Sequence, residues 1–216
     1  MNSNMEKPYV VGIDIGGTNT AFGIVDARGT IVASSSIKTG AFEEAEEYVD
    51  EVCKKLLPLI VANGGTDKIK GIGIGAPNGN YYSGTIEFAA NLPWKGIVPL
   101  AAMFEERLGI PTALTNDANA AAIGEMTYGA ARGMKDFIMI TLGTGVGSGI
   151  VINGQMVYGH DGFAGELGHV IMRRENGRLC GCGRKGCLET YCSATGVART
   201  AREFLAARTE ESLLRA

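Results

Sequence analysis

A strand, a glycine turn and a second strand occur twice in this chain of 216 residues, and this repeat constrains the fold more than any other feature. The first copy covers residues 9–25, with its turn in "DIGGT", and the second covers residues 137–152, with its turn in "LGTGVG". Internal duplication of this kind indicates two similar lobes that face one cleft. Because the turns occupy matching positions, we expect both to lie at that cleft.

The segments around the first copy predict an α/β lobe. "YVVGIDIG", "TAFGIVD" and "GTIVASSSI" are strand-like and are separated by glycine-containing turns, which predicts an antiparallel meander. A helix at residues 41–65, a buried strand in "IKGIGIGAP", a helix in "IVPLAAMFEERLGIP", a strand in "TALTN" and a helix in "DANAAAIGEMTYGAA" follow. The predicted order is therefore βββαβαβα.

We place an N-terminal α/β lobe at residues 1–116 and the start of a second α/β lobe at residues 117–216. The pattern of residues 196–216 predicts a helix that continues to the last residue, and no strand follows to complete the second lobe. The sequence therefore predicts a second lobe that is incomplete in this chain.

Charge and targeting signals limit the expected partners and compartment. The formal net charge is −3 and Lys and Arg form no run, so neither nucleic acid nor an anionic membrane is the expected main partner. The N-terminal residues lack the features of a signal peptide, and no segment reaches 18 consecutive apolar residues. We therefore expect a cytoplasmic protein with reduced thiols.

Both glycine turns are candidates for phosphate binding. A tight turn between strands exposes consecutive backbone N–H groups, and Asp14 beside the first turn could bind Mg²⁺ directly or through water. The alternative for each turn is a purely structural hairpin. Matching turns in two lobes favour a phosphate site that is split between them.

Asp117, in "TNDANAAA", lies between a short apolar strand and an Ala-rich helix. The position suits a helix N-cap. It also suits a general base, because α/β sheets place their ligands at the carboxyl ends of strands. The two interpretations are compatible, since a carboxylate is favoured at a helix N-terminus and can accept a proton from a substrate hydroxyl there.

Four of the five cysteines lie in "LCGCGRKGCLETYC", at residues 179–192. Cys180, Cys182 and Cys187 have the spacing C-x-C-x4-C, and His169 precedes them in "GELGH". Three thiolates and one imidazole match a tetrahedral zinc site, and a full set of four protein ligands makes such a site structural.

Other interpretations of the cysteines stay open. The alternatives are disulfides and buried thiols without a ligand. Disulfides are rare in the cytosol. Cys192 or His160 could replace one of the four ligands. Cys53 lies apart in a helical segment, where core packing accounts for it.

A group of polar side chains near these motifs suits a polyhydroxylated ligand such as a sugar, because each hydroxyl needs a partner when it leaves water. The group consists of Asn91, Asn116, Asp117, Glu166, His169 and Glu189. Each glutamate by itself is also consistent with a solvated surface residue. Trp94, in "NLPW", could pack near the pocket, although packing in the core or a loop is the simpler interpretation.

In combination and in order, these motifs resemble the ROK (repressor, open reading frame, kinase) family, and among its members the bacterial glucokinases most. The resemblance rests on "DIGGTNT", "GIGAPNG", "NLPW", "TNDANAAA", "LGTGVGSGIVINGQMVYG", "AGELGH" and "CGCGRKGCLETYCSATG", and it extends from residue 8 to the end of the chain. It implies the actin-like ATPase (ribonuclease H-like) fold, with two lobes around a cleft. It also implies phosphorylation of a hexose by ATP with Mg²⁺, with D-glucose the first candidate and glucose 6-phosphate the product.

The resemblance further implies roles for individual residues. Asp117 would be the catalytic base for the sugar's C6 hydroxyl. The sugar ligands would be Asn91, Asn116, Asp117, Glu166, His169 and Glu189. The nucleotide phosphates would be bound by Asp14, Gly16, Gly17 and Thr18 at the first turn and by Gly143, Thr144 and Gly145 at the second. A structural Zn²⁺ would be bound by His169, Cys180, Cys182 and Cys187, and it would make the sugar-binding loop rigid.

Kinases of this family continue beyond the equivalent of residue 216, so the resemblance implies that this chain is the N-terminal part of a kinase. Members are commonly homodimers or homotetramers. A kinase for another hexose or an N-acylhexosamine, a sugar-binding fragment without catalysis, and a sugar-responsive transcriptional regulator are the alternatives. Repressors of the family have a helix-turn-helix segment before the first strand, and a strand that begins near residue 8 leaves no room for one.

Overall fold

The structure, a computed structural model, describes residues 7–215, which form eleven strands and five α-helices. The strands are β1 (Tyr9–Ile15), β2 (Asn19–Asp26), β3 (Ile31–Lys38), β4 (Ile69–Ala76), β5 (Gly79–Asn80), β6 (Thr85–Glu87), β7 (Ile97–Val98), β8 (Thr112–Asn116), β9 (Phe137–Leu142), β10 (Val146–Ile152) and β11 (Gln155–Met156). The helices are α1 (Ala45–Ala62), α2 (Leu100–Leu108), α3 (Asp117–Tyr128), α4 (Glu189–Cys192) and α5 (Ala194–Ala207).

The main sheet has five strands in the order β3-β2-β1-β4-β8. The meander β1-β2-β3 is antiparallel, as the short glycine turns predicted, whereas β4 and β8 run parallel to β1. Parallel neighbours need a long crossover, and the segments that contain α1 and α2 supply it before β4 and β8. The three parallel strands therefore end at the same edge of the sheet.

One face of the main sheet is covered by the hydrophobic core. Along β1 the burial alternates, so Val11, Ile13 and Ile15 are buried among the core residues, whereas Asp14 is on the opposite face. Trp94 is buried in the same core and packs against Tyr48, with ring centroids 4.4 Å apart and the ring planes tilted by 52°. The interpretation of Trp94 as a core residue is therefore confirmed, and Cys53 of α1 is likewise buried in the core.

Helix α3 lies between the main sheet and a second, three-stranded sheet with the order β11-β10-β9. A Cβ atom added to Gly75 of β4 would lie 3.1 Å from Cβ of Ala120. On the other side of the helix, a Cβ added to Gly149 of β10 would lie 2.7 Å from Cβ of Ala122. Glycines that face alanines thus let the helix backbone approach both sheets closely.

Two details differ from the sequence predictions. The last helix, α5, ends at Ala207 and does not continue to the last described residue, because Arg208 is extended, with φ −130° and ψ 154°. A third sheet, with the order β5-β6-β7, lies between β4 and α2 in the chain and was not predicted, since its strands have only two or three residues.

Between residues 7 and 215, no helix is both long enough and apolar enough to cross a membrane.

Candidate active site

The carboxyl ends of the three parallel strands bring the first glycine turn close to Asp117. In the sheet register Asp14 is opposite Gly75, Gly75 is opposite Thr115, and Ala76 is opposite Asn116. Gly75 also contacts α3, so Asp14 lies on the face of the sheet that carries this helix. Asp14 and Asp117 line the same cavity, which has a volume of about 1130 Å³.

The first glycine turn is tight and lies against Asn91. The Gly16 N–H donates to the carbonyl oxygen of Asn19 at 2.9 Å, which closes the turn between β1 and β2. A Cβ added to Gly17 would lie 2.8 Å from the carbonyl oxygen of Asn91. Any side chain at residue 17 would therefore displace the segment that carries Asn91.

Asn116, and not Asp117, is the N-cap of α3. Its side-chain oxygen accepts hydrogen bonds from the N–H groups of Ala118 and Asn119, at 2.9 and 3.4 Å. Asp117 is the first residue of the helix, and its Oδ1 accepts the Ala118 N–H at 2.8 Å. Its Oδ2 accepts no hydrogen bond from residues 7–215, and the side chain is exposed. Asn116 therefore caps the helix, and one carboxylate oxygen of Asp117 faces solvent.

Two further carboxyl groups, those of Asp14 and Glu166, are affected by the charge of Asp117. Partial burial and the charge of Asp117 raise the pKa of Asp14. Partial burial also raises the pKa of Glu166; the charges of Asp117 and Glu189 add to this rise, and His169 opposes it. These interactions require proximity, so residues from β1, α3, the loop after β11 and α4 converge on one region.

The raised pKa of Asp14 leads to a pH-dependent prediction. A carboxyl whose folded-state pKa exceeds its unfolded value costs stability when ionised, and the cost disappears as the pH falls through the folded pKa. We expect Asp14→Asn to be more stable than the wild type at neutral pH, and the difference to shrink as the pH approaches the ordinary aspartate value. Urea unfolding over a pH series, without nucleotide or Mg²⁺, measures this. A difference that does not vary with pH would contradict it.

The second glycine turn, residues 142–146, contacts Glu189. A Cβ added to Gly145 would lie 2.6 Å from Oε2 of Glu189, and the same oxygen accepts the Val146 N–H at 3.2 Å. A Cβ added to Gly143 would meet no atom within 4 Å, so open space adjoins the turn. The turn is thus open to solvent next to Gly143 and contacts the Glu189 carboxylate next to Gly145.

The predicted metal ligands come together. The ligand atoms of His169, Cys180, Cys182 and Cys187 all lie within 4.8 Å of one another. Nδ1 of His169 is 3.6 Å from Sγ of Cys180, and the Sγ atoms of Cys182 and Cys187 are 3.7 Å apart. Around zinc, with Zn–N and Zn–S distances of about 2.0–2.3 Å, tetrahedral ligand atoms lie about 3.5–3.8 Å apart. The four residues therefore fit a tetrahedral zinc ion.

The ionisation of the thiols also fits a metal centre. Partial burial acts to raise the pKa of Cys182, but hydrogen bonds from Arg184 and the neighbouring thiols lower it to about 6. Burial raises the pKa of Cys180 to about 12. The lowered pKa favours the thiolate of Cys182, and the thiolate is the form that binds metal.

Of the alternatives for the cysteines, the structure excludes the disulfides. All five cysteines are free of disulfides. Cys192 lies outside the cluster, and the His160 side chain is 98% exposed beside Asp161. Neither residue takes the place of a ligand.

The segment that carries Glu166 and His169 packs on β10. Gly168 is buried, and a Cβ at this position would overlap the carbonyl oxygen of Val146. The Leu167 N–H donates to Oγ of Ser148 at 3.3 Å, and Ser148 Oγ donates to the carbonyl oxygen of Gly165. Glu166 and His169 line a second cavity, of about 750 Å³.

Gly168→Ala should lower the free energy of unfolding by roughly 1–3 kcal/mol, because the methyl group has to displace backbone atoms in a packed contact. Urea unfolding at constant m-value measures the change. Gly181→Ala is the matched control: Gly181 lies in the cysteine-rich segment, but a Cβ at this position would meet no atom within 4 Å. Equal losses of unfolding free energy in the two variants would show that the contact between Gly168 and Val146 does not determine the effect.

Two groups near the site were not found from the sequence. The Tyr81 and Tyr158 rings stack with centroids 4.2 Å apart and line the same cavity as Asp117. Thr195 donates to the carbonyl oxygen of Thr144 in the second glycine turn at 2.9 Å. The only local signals are the aromatic pair in "NYYSG" and the Ser193 N-cap, and neither indicates the distant partner.

A meander followed by two parallel strands, with glycine turns and carboxylates at the strand ends, defines a protein of the actin-like ATPase class. The chain belongs to the ROK family, whose family model matches residues 10–216. The predicted family and fold are thus confirmed.

The relatives include kinases and regulators. The glucokinase of Halalkalibacterium halodurans is 40% identical over 214 residues, which cover 97% of this chain and 64% of that protein. The xylose repressor of Bacillus subtilis is 33% identical over 196 residues, covering 88% of this chain and 49% of the repressor. A crystal structure of a ROK family glucokinase from Streptomyces griseus, in complex with glucose and AMPPNP, matches with a TM-score of 0.76 and 39% identity over 92% of this chain and 62% of that one. The chain thus spans less than two thirds of the length of these glucokinases.

Proposed function

We propose that this chain contributes the sugar site and the phosphate-binding turns of a kinase that transfers the γ-phosphoryl group of ATP to a hexose, with D-glucose the first candidate. The observation that carries the proposal is the position of Asp117. Its carboxylate is at the carboxyl end of β8, beside the first glycine turn, with Oδ2 open to the cavity it shares with Asp14. The similarity to glucokinases, including one crystallised with glucose and AMPPNP, supports the choice of substrates.

In the proposed reaction Asp117 accepts the proton of the sugar's C6 hydroxyl as that oxygen attacks the γ-phosphorus. The bond between the γ-phosphorus and the bridging oxygen breaks, and ADP leaves. The turns with Gly16, Gly17 and Thr18 and with Gly143, Thr144 and Gly145 would hold the phosphates through backbone N–H groups other than those of Gly16 and Gly143, which donate within the turns. When bound, Mg²⁺ would neutralise phosphate charge, and Asp14 is the residue placed to hold it.

The sugar hydroxyls would be bound by Asn91, Asn116, Glu166, His169 and Glu189 in addition to Asp117. Asn91 lies against the first turn, Asn116 caps α3, and Glu166 shares a cavity with His169. A buried hydroxyl without a partner costs about 1–3 kcal/mol, so a set of amides and carboxylates favours a polyol ligand.

We also propose that His169, Cys180, Cys182 and Cys187 bind a structural Zn²⁺. The distances and donor types above support this assignment. With all four ligands from the protein, the ion would order the segment that carries Glu166 and Glu189 and would have no open position for catalysis. His169 uses Nδ1 towards Cys180, which leaves Nε2 for the sugar.

A coupled assay of ADP release with glucose and Mg-ATP, together with calorimetric titration of glucose, tests the proposal. We expect saturable glucose binding and glucose-dependent ADP release. Mannose, fructose, N-acetylglucosamine and N-acetylmannosamine in parallel identify the substrate if another sugar is preferred. Glucose binding without turnover would support a sugar-binding fragment, and salt-sensitive DNA binding without turnover would support a regulator.

The lobe boundary, the oligomeric state and the cellular compartment are proposals as well. We propose a lobe boundary between residues 116 and 117, although α3 contacts strands on both sides of it. A homodimer or homotetramer in the cytoplasm, with reduced thiols available for zinc, is the setting we expect.

A further inference from the structure

The second glycine turn is held mainly by a segment from outside its own sheet. Within the turn, the Gly143 N–H donates to the carbonyl oxygen of Gly145 at 3.0 Å. The residues that follow α4 add two contacts: the Ala194 N–H donates to the carbonyl oxygen of Gly143, and Thr195 Oγ1 donates to that of Thr144, both at 2.9 Å. Glycine-rich backbone has much conformational freedom to lose, so such external bonds decide how well the turn is ordered.

The same segment is connected to the metal cluster at its other end. Glu189, the first residue of α4, accepts the Val146 N–H through Oε2, and in the metal-free protein its Oε1 accepts the Cys180 thiol, both at 3.2 Å. Cys180 bound to zinc would be a thiolate and would donate no such bond. Thr190 Oγ1 donates to the carbonyl oxygen of Cys187 at 2.7 Å. Residues 189–195 therefore contact Cys180 and Cys187 of the proposed metal cluster and three residues of the turn, and the bond to the Cys187 carbonyl oxygen does not depend on whether the thiols bind zinc.

We propose that Thr195 is a positioning residue for the second glycine turn, and that residues 189–195 couple the metal cluster to that turn. Ordering of the metal-binding loop would in this way also order the N–H groups of residues 143–146. The inference rests on the proposed function in one respect, namely that this turn holds nucleotide phosphates.

Thr195→Val removes the hydroxyl and keeps the shape and β-branching of the side chain. Thr200→Val is the matched control, because Thr200 is in the same helix and its hydroxyl donates to the carbonyl oxygen of Gly196 at 2.8 Å, away from the turn. Loss of one hydrogen bond should speed hydrogen–deuterium exchange of residues 143–147 by about three- to ten-fold in Thr195→Val. We expect no change in this region in Thr200→Val.

Thr195 Oγ1 also lies 3.1 Å from Oγ of Ser193, the N-cap of α5, so exchange within α5 has to be followed in the same experiment. Faster exchange throughout α5 with an unchanged turn would overturn the positioning role. Unchanged exchange of residues 143–147 in Thr195→Val would overturn it as well.

The coupling is tested by removing metal from the zinc-loaded wild-type chain with a chelator. We expect exchange to rise at residues 180–187 and also at residues 143–147. A rise confined to residues 180–187 would overturn the coupling, and so would a chain that takes up no zinc.

A nucleotide titration distinguishes a failure of the role proposed for Thr195 from a failure of the proposed kinase function. Titration with the non-hydrolysable analogue AMPPNP and Mg²⁺ should give a Kd about three- to ten-fold higher for Thr195→Val, with the Kd for glucose unchanged. Equal losses of nucleotide and glucose affinity would indicate a merely structural role. If the wild-type chain binds no nucleotide, the proposed function fails in its nucleotide part, while the exchange measurements still decide the role of Thr195.

Discussion

Asp117→Asn should lower kcat for hexose phosphorylation by about 10²–10⁴-fold, which is the usual contribution of a positioned general base. The amide keeps the size of the side chain, and its oxygen can still accept the Ala118 N–H, so the start of α3 should be preserved. It cannot accept the hydroxyl proton. The Kd for glucose should therefore change much less than kcat, and a coupled ADP assay combined with calorimetry measures both.

Asp161→Asn is the control for charge. Asp161 is in the loop before Glu166, and its side chain is 81% exposed, with His160 as its partner. Its neutralisation should leave kcat unchanged. Near-normal turnover in Asp117→Asn would refute Asp117 as the base, whereas equal losses in both variants would indicate a general charge effect.

Cys182→Ser should abolish zinc binding and with it sugar binding. Loss of a hydrogen-bond partner of a metal ligand already lowers metal affinity by about 10- to 100-fold, and loss of a ligand should cost more. Without the ion, the segment between His169 and Cys187 loses the cross-link that positions Glu166 and Glu189. Metal analysis of the purified protein and glucose titration measure the two effects, and Tm should fall because metal binding contributes to folding.

Cys192→Ser is the matched control, because Cys192 is in the same cysteine-rich segment but outside the cluster. It should retain zinc, glucose affinity and Tm. Unchanged metal content in Cys182→Ser would contradict the structural zinc site. Loss of zinc with intact glucose affinity would instead show that the ion does not order the sugar site.

Several features of the fold were predictable because they depend on near neighbours. The meander follows from short glycine turns between apolar segments, and its three strands are present as predicted. The α3 start follows from "TNDANAAA", although the sequence interpretation gave Asp117 as the cap and the structure has Asn116 in that role. The predicted end of α5 was wrong: helical spacing continues in "RTEESLLRA" beyond Ala207, but residues 208–215 are exposed, and a helix without a buried face has little stability.

The sequence by itself determined the repeated strand-turn-strand unit, the spacing of the four candidate metal ligands and the polar residues beside them. Spacing and residue chemistry carry this information locally, so no distant contact is needed to recognise it. Only the tertiary structure decided that Asp14 and Asp117 share a cavity, that Glu189 contacts both Cys180 and the second glycine turn, and that Thr195 donates to this turn. These contacts depend on sheet register and on the packing of glycine against alanine around α3, which join residues far apart in the chain.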